Sequence, residues 1–198
     1  MDPGRRIADY LRLAGLESIA GRAADVERAV RDLVDAMGEK VDVGDGGSLY
    51  TYPVPMMTED GTCSVVDQMA PVPYDLAPIL GGLSDQTTRR LALLERLVER
   101  AQETTGADWV GIYQRRRNSA GVEVLVKVAY VGRPSRAEFP LTHEFAQRST
   151  NSTVGLTGRA TVIDDVGKHV EAKPKGFFGA ERLTVVAALA IVATAVLP

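Results

Sequence analysis

The stretch NSTVGLTGRATVIDDV, residues 151–166, decides how the rest of the chain is read. A polar run opens it, Gly155 and Gly158 punctuate it, and a β-branched run closes on the paired acids Asp164 and Asp165. The spacing predicts a short helical turn that sets Val154, Leu156 and Thr157 under a sheet. Gly158 then releases the chain into a strand over 160–163, because glycine takes turn-ending conformations at little steric cost. At the strand's end, one of the two acids either caps the following turn or holds a cationic group of a ligand.

Working upstream, residues 85–105 form the clearest helix of the chain. Leu91, Leu94, Val98 and Ala101 make one stripe, Leu97 widens it, Ser84 or Asp85 caps the start, and Gly106 ends it. Residues 109–114 then read as a strand and 122–131 (VEVLVKVAYV) as a second, alternating one. Residues 115–121 between them fit a hairpin loop whose arginines, Arg115, Arg116 and Arg117, are a solvated tip. A polar crossing over 132–138 leads to Phe139, Pro140 and Leu141, and 142–150, which contains Phe145, predicts another short helix.

The N-terminal part divides at about residues 40 and 83. Residues 1–40 predict a helical segment: Ile7, Leu11 and Ala14 share one face over 5–16, and Val26, Ala29, Val30, Leu33, Val34 and Met37 recur at helical spacing over 22–37. Residues 41–83 are rich in proline and glycine, which break every long periodicity. An edge strand over 48–54 fits there, and Tyr50, Tyr52, Met56, Met57, Met69 and Tyr74 give the segment an adhesive surface. It reads as a connector to the C-terminal module or, alternatively, as a lid over a pocket. Residues 180–197 are apolar on nearly every side yet short for a bilayer. A buried helix fits better, with 85–105 and 180–197 building a helical bundle shared between two copies.

The segment 107–113 (ADWVGIY), the alternating strand, GLTGRA and VIDDV occur in the order in which they stand in GAF domains. The region 84–198 resembles that family of small-molecule sensors. The resemblance implies an α+β fold in which a six-stranded antiparallel sheet has helices on one face and a ligand pocket on the other, beneath crossing loops. It implies Trp109, Tyr113, Tyr130, Phe139, Phe145, Ile163 and Asp165 as the pocket-facing residues. The family also supplies two more strands before its last helix, and residues 167–178 are too few for them. Either residues are missing around 173–176, or the 48–54 segment or a second chain fills the gap.

The chain has 198 residues, 45% of them hydrophobic and 25% charged, enough for an ordinary core. A net charge of −3 argues against bulk binding to nucleic acid, which needs a concentrated basic surface. The single cysteine, Cys63, forms no internal disulfide and fits a reducing compartment. The N-terminus lacks the apolar run of a signal peptide, so a cytoplasmic location without membrane insertion is expected.

The similar free methionine-R-sulfoxide reductases need an attacking thiolate and a second thiol that resolves the adduct. Residues 132–157, where the resemblance would place them, hold no cysteine. His143 and His169 fit no zinc-ligand spacing, and Gly155 and Gly158 lack the lysine of a phosphate loop. The residues point to no particular cofactor. The expectation is a bacterial-type, dimeric sensor that binds a small molecule without transforming it, with a divergent reductase or a non-binding dimerisation module as alternatives.

Overall fold

A computed structural model of the chain describes residues 3–37, 46–57 and 68–163. Three helices come first: α1 (Pro3–Leu13), α2 (Glu17–Ala20) and α3 (Ala23–Met37). Leu11, Ala14 and Leu16 bury themselves together, and Ile7, Ile19, Val26 and the distant Ala160 pack around them. Exposed pairs one helical turn apart, Arg12 with Asp9, Arg28 with Asp25 and Arg31 with Glu27, line the outer sides. Each such pair stabilises by only about 0.3–0.5 kcal/mol.

The segment expected to be a connector does more than connect. A 3₁₀ turn (Gly47–Tyr50) leads into β1 (Thr51–Tyr52), which pairs antiparallel with β2 (Tyr74–Asp75). The edge strand expected over 48–54 is thus shorter, and its partner is β2 rather than the main sheet. Tyr50 and Leu76 lie within the principal core, Leu76 with 0% exposure. The Tyr50 phenol reaches Thr88 Oγ1 at 3.0 Å, which pins this ribbon to the following helix.

That helix, α4 (Asp85–Thr105), has the predicted limits. The Ser84 hydroxyl accepts from the Thr87 amide at 3.2 Å, satisfying one of the donors left open at a helix start. Leu91, Leu94 and Val98 face inward and are buried. They lie against the main sheet, whose antiparallel order is β3 (Val110–Arg117), β4 (Glu123–Val131) and β5 (Glu138–Pro140). Val124, Val126 and Val128 of the central strand meet the helix in one core. The expected hairpin loop over 115–121 is tighter, because Arg115, Arg116 and Arg117 extend β3 and pair with Leu125, Val124 and Glu123. Asn118 turns the chain: its Oδ1 accepts from the Ala120 and Val122 amides at 3.1 and 3.0 Å.

On the sheet's other face lie α5 (His143–Ala146) and α6 (Thr150–Thr157). Gly155 sets how closely α6 approaches, since a methyl group there would come within 2.6 Å of Leu141 Cδ2 and 2.9 Å of Leu125 Cδ1. Val154 is buried, Leu156 packs on Leu125 and Leu141, and α6 ends at Gly158, as the sequence predicts. The strand expected over 160–163 does not form. Instead the Ala160 amide donates to the Ala14 carbonyl at 2.8 Å, so this backbone docks the α1–α2 turn rather than joining a ladder.

The fold is therefore mixed helix and small antiparallel sheets. Three strands form the main sheet among the described residues, where the resemblance implied six. No helix among the described residues is long and apolar enough to cross a membrane. Residues 180–197, to which a bundle helix was assigned, lie outside those described.

Candidate functional site

The face of the sheet opposite α4 collects the aromatic side chains. In the ladder, Tyr113 stands opposite Lys127 and Gly111 opposite Tyr130, with an irregularity between Ile112 and Tyr113 that leaves Val128 without a partner. This bulge matters. Strict alternation would send Lys127 and Tyr130 to opposite faces, three residues apart as they are, whereas one extra residue puts both on the face of Tyr113. Gly111 keeps the place open for the rings: a Cβ there would meet Tyr130 Cδ2 at 2.7 Å and Tyr113 Cε2 at 3.0 Å.

The rings form a continuous series. Trp109 stacks on Tyr130 with centroids 6.2 Å apart, and Tyr113 meets Phe139 edge-on at 5.4 Å. Tyr130 and Phe139 both pack on the buried cluster of Tyr113, Leu125 and Leu141. The Arg136 guanidinium lies 5.3 Å over Phe139 and 4.5 Å over Phe145, which brings Phe145 to the edge of the same face. Five of the seven expected pocket residues thus converge, with Tyr113 buried and Trp109, Tyr130, Phe139 and Phe145 half-buried. Ile163 is half-buried on the irregular stretch after α6 and is not among the residues packed on that cluster. Asp165, like Asp164, Cys63 and His169, lies outside the described residues.

At the centre stands Lys127, only 3% exposed. Its ammonium lies 4.6 Å over the Tyr52 ring and equally far over the Tyr130 ring. It donates to the Ser135 carbonyl at 2.9 Å, with Ser135 Oγ at 3.4 Å. A buried ammonium is costly unless its hydration is replaced, and two π faces with a carbonyl replace it. The Tyr52 phenol donates to the Lys127 carbonyl at 2.9 Å and its ring stacks on Tyr74 at 5.4 Å, so the β1–β2 ribbon closes one side of the site. The Tyr74 phenol donates to Glu138 Oε1 at 2.6 Å, and Asn118 Nδ2 donates to Glu138 Oε2 at 2.8 Å.

Burial drives the phenols of Tyr52, Tyr74 and Tyr113 well above the ordinary value of 10.0, and it raises Tyr130 as well. Neighbouring phenols and Glu138 add to the effect at Tyr52. The hydrogen bond to Glu138 adds to it at Tyr74, while Ser135 opposes it at Tyr113 and Tyr130. These phenols are neutral at physiological pH. They serve as hydrogen-bond donors and ring surfaces, not as bases or nucleophiles.

Elsewhere the chemistry is sparse. His143 is exposed at the start of α5, and no group of three His, Cys, Asp or Glu among the described residues is placed to hold a metal. A shallow cleft on α3 is lined by Ala24, Glu27, Arg28 and Arg31, whose charges are engaged in the helix's own ion pairs. Sequence reasoning missed Lys127, Tyr52, Tyr74, Arg136 and Arg148. For Lys127 a signal existed, since it is the one charged residue inside the apolar run 124–131. For the two tyrosines the signal was their excess of ring surface in a stretch otherwise read as linker.

No known family, no curated protein and no solved structure matches this chain. What the aromatic face does follows from its own chemistry.

Proposed function

We propose that the chain is a small-molecule-binding sensor or regulatory domain of GAF type, with the helical N-terminal segment as an extension, acting as a cytoplasmic homodimer. The observation that carries this reading is the convergence of Trp109, Tyr113, Tyr130, Phe139 and Phe145 on the sheet face opposite α4. Four of those rings are half-buried, so they keep apolar area for a guest. The neutral phenols and the engaged lysine favour holding a molecule over transforming it. A guest that prefers one packing of the 132–138 crossing over another would shift that loop and, through the sheet and α4, bias the pairing with a second copy.

A thermal-shift screen of amino acids, nucleotides and tetrapyrroles tests the reading. A ligand at one hundred times its Kd adds about 2.7 kcal/mol to stability. The expected result is at least one compound that raises Tm in the wild type and fails to do so in Phe139→Ala. A flat response across the screen would favour a non-binding dimerisation module.

A further inference from the structure

The reading of the aromatic face as a binding site leaves open which polar group its guest presents, and the crossing from β4 to β5 bears on that. The crossing is held at both ends: Val131 closes the ladder with Val110, and the Ala137 carbonyl accepts from the Lys127 amide at 2.9 Å. Between these ends Gly132, Arg133 and Pro134 are exposed, and Ser135 turns inward to half-burial. The segment is a short strap with fixed ends.

Ser135 lies where the polar groups of the face converge. The Lys127 ammonium donates to its carbonyl at 2.9 Å, with its hydroxyl at 3.4 Å, and stands 4.6 Å over the rings of Tyr52 and Tyr130. Burial raises the phenols of Tyr113 and Tyr130, and the Ser135 hydroxyl beside them opposes the rise. One residue of the strap thus places a carbonyl and a hydroxyl at the meeting point of cation, phenols and ring surface. A guest oxygen of the same neutral kind can take over the bond from Lys127 without any change of charge, and the other contacts of Lys127 stay as they are. Trp109 stacked on Tyr130, both half-buried, supplies a flat apolar surface next to that point.

We infer that Ser135 is a built-in stand-in for the polar group of the guest: a flat ring system carrying a neutral carbonyl, an aromatic ketone, amide or lactam, displaces it from Lys127 and lies on the rings beside it. The strap thereby sets a threshold, because a guest gains only the difference between its own contacts and those that Ser135 gives up. This inference rests on the binding role proposed above.

Two neutral dyes of the same ring system separate the questions: 6-propionyl-2-dimethylaminonaphthalene, which carries a ketone, and 2-dimethylaminonaphthalene, which does not. Both are titrated into the full chain, with energy transfer from Trp109, the only tryptophan, as the readout. Hydrophobic partitioning alone favours the dye without the ketone. The expected result is the reverse, saturable binding of the ketone about tenfold tighter, the size of one exchanged hydrogen bond. Ser135→Gly loosens the strap and deletes its hydroxyl, and it is expected to tighten ketone binding by about threefold or more. Lys127→Met removes the donor and keeps an apolar stem, so the two dyes should then bind alike, with far-UV circular dichroism confirming the fold; if that variant does not fold, Ser135→Gly decides alone. Equal affinity of the wild type for the two dyes, or ketone binding not tightened by Ser135→Gly, would overturn the stand-in role while leaving the binding role intact. Saturable binding of neither dye would sink both.

Discussion

The two faces of the three-stranded sheet are built from different chemistry. Between α4 and the sheet itself the contacts are aliphatic: Leu91, Leu94 and Val98 meet Val124, Val126 and Val128, all of them buried, with Tyr50 of the ribbon joining the same core. On the other face only the end under α6 is sealed in that way, by Leu125, Leu141 and Val154. Towards Lys127 and Tyr130 that face changes to rings, phenols and cations, much of it half-buried. Aliphatic packing is non-directional and gains stability in proportion to area. The aromatic end is held by a few directed contacts between rings, phenols and cations. Under the binding role proposed above, stability belongs to one face and recognition to the other.

Leu91→Ala should break the first face most. Leu91 is 0% exposed, and removing such a side chain costs about 3 kcal/mol. Urea denaturation measures the loss. A cost under about 1 kcal/mol would show that α4 is not the main buttress of the sheet.

Raising the pH loads the other face. The phenols of Tyr52, Tyr74, Tyr113 and Tyr130 keep their protons in the fold beyond the pH at which the unfolded chain, with its ordinary value of 10.0, gives them up. Above that pH the folded chain holds more protons, so stability falls as pH rises; below it these groups contribute no slope. Tyr113, 5% exposed, alone accounts for about 1.4 kcal/mol per pH unit in that window. Denaturation midpoints across the alkaline range should therefore drop steeply, and Tyr113→Phe should flatten the drop. A wild-type profile flat through the alkaline range would mean that solvent reaches these rings.

The first face was the more legible in sequence, and the reason is periodicity. The stripe of Leu91, Leu94 and Val98, bounded by Ser84 and Gly106, states its own limits because helix caps are local chemistry. Gly158 was legible as a helix end for the same reason, whereas the close approach that Gly155 permits was not. The aromatic face was legible by residue type and not by arrangement. A bulge at Val128 leaves no local mark, yet it brings Tyr130 beside Lys127. The contribution of Tyr52 and Tyr74 depends on contacts 75 and 64 residues away in the chain, which no local pattern announces. The 160–163 stretch failed in the opposite sense. Its β-branched composition was real, but the Ala14 carbonyl captured its backbone before any strand could.

The smallest predicted effect refines the helix side, which is not apolar throughout. Glu95 of α4 is half-buried, and partial burial raises its carboxyl above the usual range, with the charge of Glu99 one turn later adding to the rise. A raised carboxyl holds its proton longer in the folded chain than in the unfolded one. Stability is therefore lost as pH climbs past the ordinary value of 4.5, and the penalty is complete at neutral pH. Glu95→Gln removes the charge and keeps the shape, so it should stabilise at neutral pH by a few tenths of a kcal/mol, the small size reflecting solvent screening of a side chain that is only partly covered. Near pH 4, where the wild-type carboxyl carries its proton, the two proteins should unfold at the same urea concentration. Paired denaturation at the two pH values decides it. A Gln variant less stable at neutral pH would mean that the carboxylate is held by a partner that favours its charge.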